Sequence, residues 1–174
     1  VYTMNKNIDK SPLLLAIDQG GQSSRVAVYS ASGELVCCFS SPCATTHNLE
    51  LGQEYIEQNP LDILQGIRDC LEKVVQCLGA NIKRLSSAGF AGQGSSLLCW
   101  DNKTGEALSS VLSWQDIRGQ NYLRKLPLTH EQMQQITGLR VSPHYGASKI
   151  KWCLEHNNKV TVAQRNGSLS IGPI

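Results

Sequence analysis

A hairpin pattern near the start of the chain constrains its fold more than any other feature. Residues 13–17 form an apolar run that ends in Asp18, and a second apolar run follows at residues 26–29 after a polar stretch that contains two glycines. Two apolar runs joined by a short glycine-containing segment are typical of a β-hairpin with a loop of several residues. The sequence therefore predicts two paired strands with polar groups concentrated in the turn.

The turn of this hairpin carries groups that suit a bound anion. Glycine has no Cβ, so the backbone N–H groups at Gly20 and Gly21 can come close to a bulky anion. Ser23 and Arg25 add further donors for phosphate oxygens, and Asp18 would face a metal ion bound to that anion. Asp and Gly are also ordinary turn residues, and the pattern by itself favours a purely structural hairpin.

Length and charge narrow the class of protein. The 174 residues are 41% hydrophobic and 17% charged, which is typical of one soluble globular domain. A net charge of +2 supplies no broad basic surface, so we expect no nucleic-acid partner. The apolar run at residues 13–17 is too short to span a bilayer. It also fits the apolar core of a secretory signal poorly, because Asp18 interrupts it. We therefore expect no membrane partner and a cytoplasmic protein.

The cysteines and histidines do not form a recognisable metal-binding motif. Seven cysteines and four histidines are present, but no Cys-x-x-Cys pair occurs and the histidines are scattered. A cytoplasmic location favours free thiols. The sequence thus favours small buried cysteines over a structural zinc site.

The middle of the chain predicts a third strand and a long helix. Residues 34–40 have a strand pattern, whereas the polar residues 42–59 are predicted to form a surface loop. Asn59 suits a helix N-cap, Pro60 suits the first helical position, and Gly79 is a stop signal. The apolar residues that recur at helical spacing, and that we expect to face the sheet, are Leu64, Ile67, Leu71, Val74 and Leu78.

Two further segments could contribute to a binding site. Residues 85–91 are predicted to form a strand parallel to the first, and residues 92–95 follow it where open α/β sheets place ligand-binding loops. Trp114, Asp116 and Arg118 offer an aromatic wall with polar groups for a hydroxylated ligand. The alternative is that Trp114 anchors a core and that Asp116 and Arg118 form a surface pair.

The last part of the chain predicts short strands and helices. A capping-box pattern begins at Thr129, and Gly138 would end the helix that it opens. The other predicted elements are strands at residues 96–100, 111–114 and 168–171 and a helix at residues 145–155. Three strands, a helix and a parallel strand together predict a mixed α/β sheet.

Five segments, taken together, resemble a known family. They are residues 16–25, 52–60, 87–101, 114–118 and 145–155, and they cover nearly the whole chain. In this order they resemble the FGGY family of carbohydrate kinases, which includes glycerol kinase and xylulokinase. The resemblance implies a ribonuclease-H-like fold of the actin and hexokinase type. This α/β fold has a mixed sheet in which an antiparallel three-strand meander is joined by parallel strands and flanking helices.

The resemblance also implies an activity, transfer of the γ-phosphoryl group of magnesium ATP to a hydroxyl of a sugar or polyol. The implied cofactors are ATP and Mg, and Asp18 would orient the hydrated magnesium. The residues that would face the phosphates are Gly20, Gly21, Gln22, Ser23 and Arg25. The residues that would line the sugar pocket are Gln93, Gly94, Ser95, Trp114, Asp116, His144 and Tyr145. The implied partner is a small sugar or polyol, and a homo-oligomer is left open.

The chain departs from the family pattern at two places. Gly21 and Gln22 stand where glycerol kinases have two threonines, so two hydroxyl donors are missing near the phosphates. Gly94 and Ser95 stand where glycerol kinases have Arg-Glu and xylulokinases typically have Met-His. Loss of a charged pair weakens recognition of a small ligand such as glycerol. We therefore expect a larger sugar or sugar alcohol.

The catalytic base of this family lies beyond the residues present, so the resemblance places no catalytic residue in the chain. We expect residues 1–174 to be the N-terminal part of the first domain of a longer kinase. The rest of that domain and a nucleotide-binding second domain would lie beyond Ile174, and the chain alone would be inactive. Two alternatives stay open, a catalytically silent relative that binds a sugar or nucleotide as a sensor, and a structural α/β interaction module.

Overall fold

The computed structural model describes residues 10–50 and 53–174. Gly52, the first residue of one segment of the family resemblance, lies outside these residues. Two compact units are formed, and each is built from two stretches of chain. The first unit contains the described residues up to Thr45 together with Asn59–Gln93. The second unit contains Thr46–Gln58, apart from the undescribed residues, and Gly94–Ile174.

Among the described residues, five strands precede the first helix, and four consecutive helices precede the last strand. The strands are β1 (Leu13–Gln19), β2 (Ser23–Ser30), β3 (Leu35–Pro42), β4 (Thr46–Glu50), β5 (Gln53–Gln58), β6 (Leu85–Ala91), β7 (Leu97–Asp101), β8 (Val111–Leu112) and β9 (Leu169–Pro173). The helices are α1 (Pro60–Leu78), α2 (Gln120–Leu123), α3 (His130–Thr137), α4 (Gly146–His156) and α5 (Asn158–Arg165). A 3₁₀ helix at Gly79–Arg84 follows α1.

The first unit is a four-stranded mixed sheet with the order β3-β2-β1-β6. β1, β2 and β3 form the predicted antiparallel meander, and β6 pairs with β1 in parallel. The hairpin register places Asp18 opposite Arg25 and Gln19 opposite Ser24. The predicted hairpin, third strand and parallel strand are confirmed.

Helix α1 packs on β2 and β3, and its predicted ends are confirmed. Asn59 Oδ1 accepts a hydrogen bond from the Leu61 N–H at 3.0 Å, and Pro60 is the first helical residue. The chain leaves the helix at Gly79, whose φ of 51° is a conformation that favours glycine. The sequence signals for a start and a stop therefore correspond to real caps.

The buried stripe of α1 differs from the predicted one. Its members are Ile63, Gly66, Cys70, Val74 and Leu78. Leu64, predicted to face the sheet, is 44% exposed. A Cβ at Gly66 would lie 3.1 Å from Ser41 Oγ, so the helix meets the sheet closely at this glycine. The prediction counted only large apolar residues; it was wrong at Leu64 and right at Val74 and Leu78.

The second unit is a five-stranded antiparallel sheet with the order β4-β5-β8-β7-β9. Helices α4 and α5 contact it, and the buried core residues of this unit are Leu97, Cys99, Leu112, Cys153 and Val160. The predicted strands near β7, β8 and β9 and the predicted helix near α4 are confirmed. The capping box at Thr129 and the left-handed cap at Gly138 of α3 are also confirmed.

The predicted loop at residues 42–59 is wrong where β4 and β5 lie. β5 pairs with both β4 and β8. Gln58 is buried, and Glu57 Oε1 accepts a hydrogen bond from Arg118 Nη2 at 2.7 Å. Polar side chains that indicate a loop by composition thus find partners elsewhere in the chain, and such tertiary contacts override local propensity.

Within the part of the chain that the structure describes, no helix has both the length and the apolar character needed to cross a bilayer.

Candidate functional site

The turn between β1 and β2 is held by several hydrogen bonds within the first unit. The Gly20 N–H donates to the Ser23 carbonyl at 2.9 Å and closes the turn. The Gly20 carbonyl accepts from Gln19 Nε2 at 2.9 Å and from Gln93 Nε2 at 3.1 Å. A Cβ at Gly20 would lie 3.3 Å from the Ser23 carbonyl oxygen, so a side chain there would crowd this turn. The turn is therefore a preorganised piece of backbone.

Residues behind the turn support it, and sequence reasoning did not single them out. Ser24 Oγ donates to Gln19 Oε1, and both side chains are buried. The Cys43 N–H donates to the Gln22 carbonyl at 2.8 Å, and Thr45 Oγ1 donates to the Gly21 carbonyl at 3.3 Å. The one available signal was the alternation of β1, which makes Gln19 the first polar residue on the core-facing side after Ile17.

Two opposite charges stand at the mouth of this turn and remain accessible. Asp18 Oδ2 and Arg25 Nη1 are 3.9 Å apart, and the two side chains are 58% and 55% exposed. Gln22 is exposed and Ser23 is half-buried. An exposed ion pair at this distance gains little free energy from its own contact. Both charged groups can therefore turn to a ligand at small cost.

Gln93 belongs to this turn, although the resemblance placed it in the sugar pocket. It follows β6, is buried, and donates to the Gly20 carbonyl in the first unit. The parallel pairing of β1 and β6 explains the contact, because it brings the carboxyl ends of the two strands to one edge of the sheet.

In the second unit, Trp114 and the residues before α4 form an exposed aromatic group. Trp114 is 47% exposed and Tyr145 is 39% exposed. The Trp114 and His144 rings are tilted by 51° with centroids 6.2 Å apart, and His144 Nδ1 lies 3.1 Å from the Trp114 carbonyl oxygen. Rings and polar atoms accessible together can contact both the apolar and the hydroxyl groups of a polyhydroxy ligand.

The loop of Gly94 and Ser95 lies beside Trp114 in the same unit. Gly94 is exposed and Ser95 is half-buried. The next residue, Ser96, accepts a hydrogen bond at its Oγ from the Trp114 N–H at 2.9 Å. The second unit thus brings together Gly94, Ser95, Trp114 and His144 of the predicted set.

Asp116 is buried completely and its carboxylate is fully engaged. Oδ1 accepts from the Arg118 N–H and Nε at 3.0 and 2.9 Å. Oδ2 accepts from the Ile56 N–H at 2.8 Å and from Arg118 Nη2 at 2.7 Å. The alternative of a surface Asp116–Arg118 pair is wrong, because both side chains lie in the interior.

Arg118 is the centre of this buried network. Its guanidinium carbon lies 4.1 Å from the centroid of the Tyr55 ring and 4.6 Å from that of Trp152. Burial acts to lower the pKa of Arg118, but the hydrogen bonds and charges of Asp116 and Glu57 outweigh burial and raise it. The network therefore holds a permanent charge with matched partners, which is how proteins keep buried arginine.

A buried lysine, which sequence reasoning also missed, lies next to this network. Lys149 in the first turn of α4 is fully buried, and its Nζ donates to the carbonyls of Ser113 at 2.7 Å and Ser95 at 3.1 Å. Burial lowers its pKa to about 8, although the charge of Asp116 acts in the opposite direction. The pattern of α4 offered one signal, because Lys149 precedes the buried Cys153 by one helical turn.

No group of three or more His, Cys, Asp or Glu side chains within the described residues could enclose a metal ion. Asp18 is nevertheless a suitable single ligand for magnesium, which commonly uses one or two carboxylates and completes its shell with water and phosphate oxygens. The exposed carboxylate beside a preorganised turn fits such a shared site.

Comparison with known proteins identifies the family. The N-terminal domain of the FGGY family of carbohydrate kinases matches residues 13–167. A glycerol kinase of Aquifex aeolicus is 29% identical over 162 residues, covering 93% of this chain and 32% of that protein. A probable glycerol kinase of Caenorhabditis elegans is 30% identical over 176 residues, covering 93% and 34%. The chain thus spans about a third of the length of these curated relatives.

Solved structures of such kinases share the fold. A Plasmodium falciparum glycerol kinase crystallised with ADP superposes with a TM-score of 0.80 at 22% identity, covering 93% of this chain and 32% of that one. A xylulose kinase from Rhodospirillum rubrum gives a TM-score of 0.75 at 19% identity, covering 87% and 31%. The predicted actin- and hexokinase-type fold is confirmed.

Proposed function

We propose that this chain, which belongs to the FGGY family of carbohydrate kinases as an N-terminal domain, works within an ATP-dependent kinase. This kinase transfers the γ-phosphoryl group to a hydroxyl of a sugar or polyol. Residues 1–174 supply the first part of its first domain, and the catalytic base and the adenosine pocket come from the rest of a longer protein. In the proposed division of work, the β1–β2 turn binds the phosphates and the second unit contributes to the carbohydrate site.

The observation that carries the proposal is the exposed Asp18–Arg25 pair at a turn whose backbone is held in place. Arg25 suits phosphate oxygens because a guanidinium donates several hydrogen bonds in one plane. Gln22 and Ser23 offer side-chain donors beside it, and Gly20 and Gly21 shape the backbone of the same turn. A turn that needs no rearrangement loses little entropy when the phosphates bind.

Asp18 is the proposed magnesium residue. Its carboxylate would hold the hydrated ion against the phosphates, and Mg²⁺ when bound neutralises charge that develops during phosphoryl transfer. At 3.9 Å the exposed Arg25 guanidinium does not close off the Asp18 carboxylate, so both groups can turn to a ligand.

The proposed carbohydrate residues of the second unit are Gly94, Ser95, Trp114, Asp116, His144 and Tyr145, whereas Gln93 supports the proposed phosphate-binding turn of the first unit. Trp114, His144 and Tyr145 support this role through their exposure. Asp116 supports it indirectly, since its buried carboxylate holds the segment that bears Trp114. The small pair at Gly94 and Ser95 leaves room for a ligand larger than glycerol. Xylulose and glycerol, which the names of relatives suggest, are therefore the probes of choice.

The test separates nucleotide binding from carbohydrate binding in the longer protein that carries this chain. Asp18→Ala should lower the rate of phosphoryl transfer by on the order of 100-fold. Carbohydrate affinity, measured by calorimetric titration with xylulose and glycerol, should stay within about twofold because Asp18 belongs to the phosphate side. Glu72→Gln on α1, which removes an exposed carboxylate from the same unit, is the matched control.

Other results would redirect the proposal. Equal losses of carbohydrate and nucleotide affinity in Asp18→Ala would mean that the substitution disrupts the domain. Carbohydrate or ATP binding by the unsubstituted protein without any phosphoryl transfer would favour a sensor. The replacements at Gly21-Gln22 and Gly94-Ser95 are the features that support this second function.

A further inference from the structure

Lys149 is placed where a charged group is costly. It is the largest side chain in the described chain that is fully buried, and its stem lies inside the second unit. Taking an ammonium out of water costs several kcal/mol unless it is paired and hydrogen-bonded. An apolar residue of the same length, such as methionine, would fill this space without that cost. The reason for an ammonium at this position must therefore lie in the contacts that it makes.

Those contacts are main-chain carbonyls of two separate loops. Nζ donates to the Ser95 carbonyl in the segment between β6 and β7 and to the Ser113 carbonyl directly before Trp114. A third link, from the Trp114 N–H to Ser96 Oγ, joins the same loops. One side chain of α4 thus connects the two segments that carry Ser95 and Trp114.

The helix that carries Lys149 is itself held close to these loops. A Cβ at Gly119 would lie 2.6 Å from the carbonyl carbon and oxygen of Ser148, so only glycine allows this approach. Ser148 precedes Lys149, and the adjacent segment is anchored by the Asp116–Arg118 pair. The backbone of Lys149 on α4 is therefore held in place, as its Nζ is by the two carbonyls. Burial lowers the pKa of Lys149 to about 8, which agrees with a group enclosed by protein.

We propose that Lys149 is a positioning residue of the carbohydrate site, whose ammonium fixes the spacing between the Ser95 loop and Trp114. It touches no ligand and acts through these two segments. The expected effect of Lys149 on carbohydrate affinity rests on the proposed function. Its expected effect on the order of the two loops does not depend on any ligand.

The experiment compares Lys149→Met with the control Lys151→Met. The control removes an exposed lysine from the same helix that pairs with Glu155 at 3.3 Å. Amide hydrogen exchange of Trp114 should become about tenfold faster in Lys149→Met and stay unchanged in the control, because its loop loses an anchor. The melting temperature at pH 7 should not fall, since a buried charge is removed. A merely structural lysine would lower the melting temperature and leave this one amide no more affected than others.

The same variants are then titrated with xylulose and glycerol in the longer protein. Whichever probe binds should bind about tenfold more weakly to Lys149→Met and equally to Lys151→Met. Faster exchange at Trp114 without any carbohydrate binding by the parent protein would contradict the proposed function and leave the positioning role intact. Unchanged exchange and unchanged affinity in Lys149→Met would overturn the positioning role.

A second variant covers a failure to fold. Lys149→Gln keeps an uncharged NH₂ donor group and should show Trp114 exchange between that of the parent and that of Lys149→Met. If neither variant folds, the ammonium is required by the fold itself and the positioning role is overturned.

Discussion

The two units each contain an Asp–Arg pair, and the pairs differ in almost every physical respect. In the first unit Asp18 and Arg25 lie on neighbouring strands, are more than half exposed and approach only to 3.9 Å. In the second unit Asp116 and Arg118 lie two residues apart, are buried and form hydrogen bonds of 2.7 to 2.9 Å. The same two residue types thus form an open pair and a closed pair.

The difference supports the proposed ligand-binding role of the open pair and a supporting role for the closed pair. The closed pair has used its carboxylate oxygens on Ile56 and Arg118, so it has little left to offer a ligand. The open pair is held by a rigid turn but is not satisfied by its own contact. Buried pairs are costly to break and exposed ones are nearly neutral. Stability measurements can therefore test the assignment without any ligand.

The largest effect is expected from breaking the closed pair. Asp116→Ala should lower the free energy of unfolding by about 3 to 5 kcal/mol, because Arg118 loses a buried partner and the Ile56 N–H loses its acceptor. Urea denaturation followed by fluorescence measures this change. Glu106→Ala, which breaks an exposed 3.7 Å pair with Lys159 in the same unit, should cost less than about 0.5 kcal/mol. If Asp116→Ala lowered the free energy of unfolding by less than about 1 kcal/mol, the Asp116–Arg118 pair would contribute no more than an exposed pair, which would contradict this comparison.

An intermediate effect is expected from pH, through the lysine beside the closed pair. The pKa of Lys149 is lowered by burial from 10.5 to about 8 in the folded protein. Between these values the unfolded chain binds more protons, so this group makes the folded state more stable as pH rises. The free energy of unfolding of the parent minus that of Lys149→Met should therefore grow by about 1.4 kcal/mol per pH unit in this range.

Urea denaturation at pH 7, 8.5 and 9.5 would check this trend. Buried thiols such as Cys37, whose pKa burial raises to about 12, make both proteins less stable at high pH. Their contribution cancels in the difference. The control Lys151→Met should show a difference that does not vary with pH, and the same flat result for Lys149→Met would show that its ammonium is not desolvated.

The turn that carries the open pair could be predicted from the sequence, since its signals are local. Two apolar runs on either side of a polar stretch specify β1 and β2, and the glycines between Asp18 and Arg25 specify an accessible turn. Asn59, Pro60 and Gly79 specify the ends of α1 for the same reason. What local patterns did not supply was the support of the turn by Gln93, which depends on the parallel pairing of β6 with β1.

The sequence singles out the residues of the closed pair, but their burial could not be predicted from it. Trp114, Asp116 and Arg118 are close in the chain, but burial of the charges depends on Glu57, Tyr55 and Trp152, which come from distant segments. The same contacts explain why β5 forms a strand where the sequence predicts a loop. The sequence does not single out Lys149, because an isolated lysine in a helix is usually exposed. Its partners are backbone carbonyls, which leave no trace in a sequence.

The smallest effect is expected from the open pair, and it sharpens the comparison most. Asp18→Asn should change the free energy of unfolding by less than about 0.5 kcal/mol, and added salt should alter this value little, because the 3.9 Å pair is exposed. The control Glu72→Gln should behave alike. A destabilisation above about 1 kcal/mol would mean that Asp18 supports the hairpin. Near-neutral stability combined with the loss of phosphoryl transfer would instead assign Asp18 to the ligand, because a residue that contributes little to the fold yet is needed for the reaction must act on what binds there.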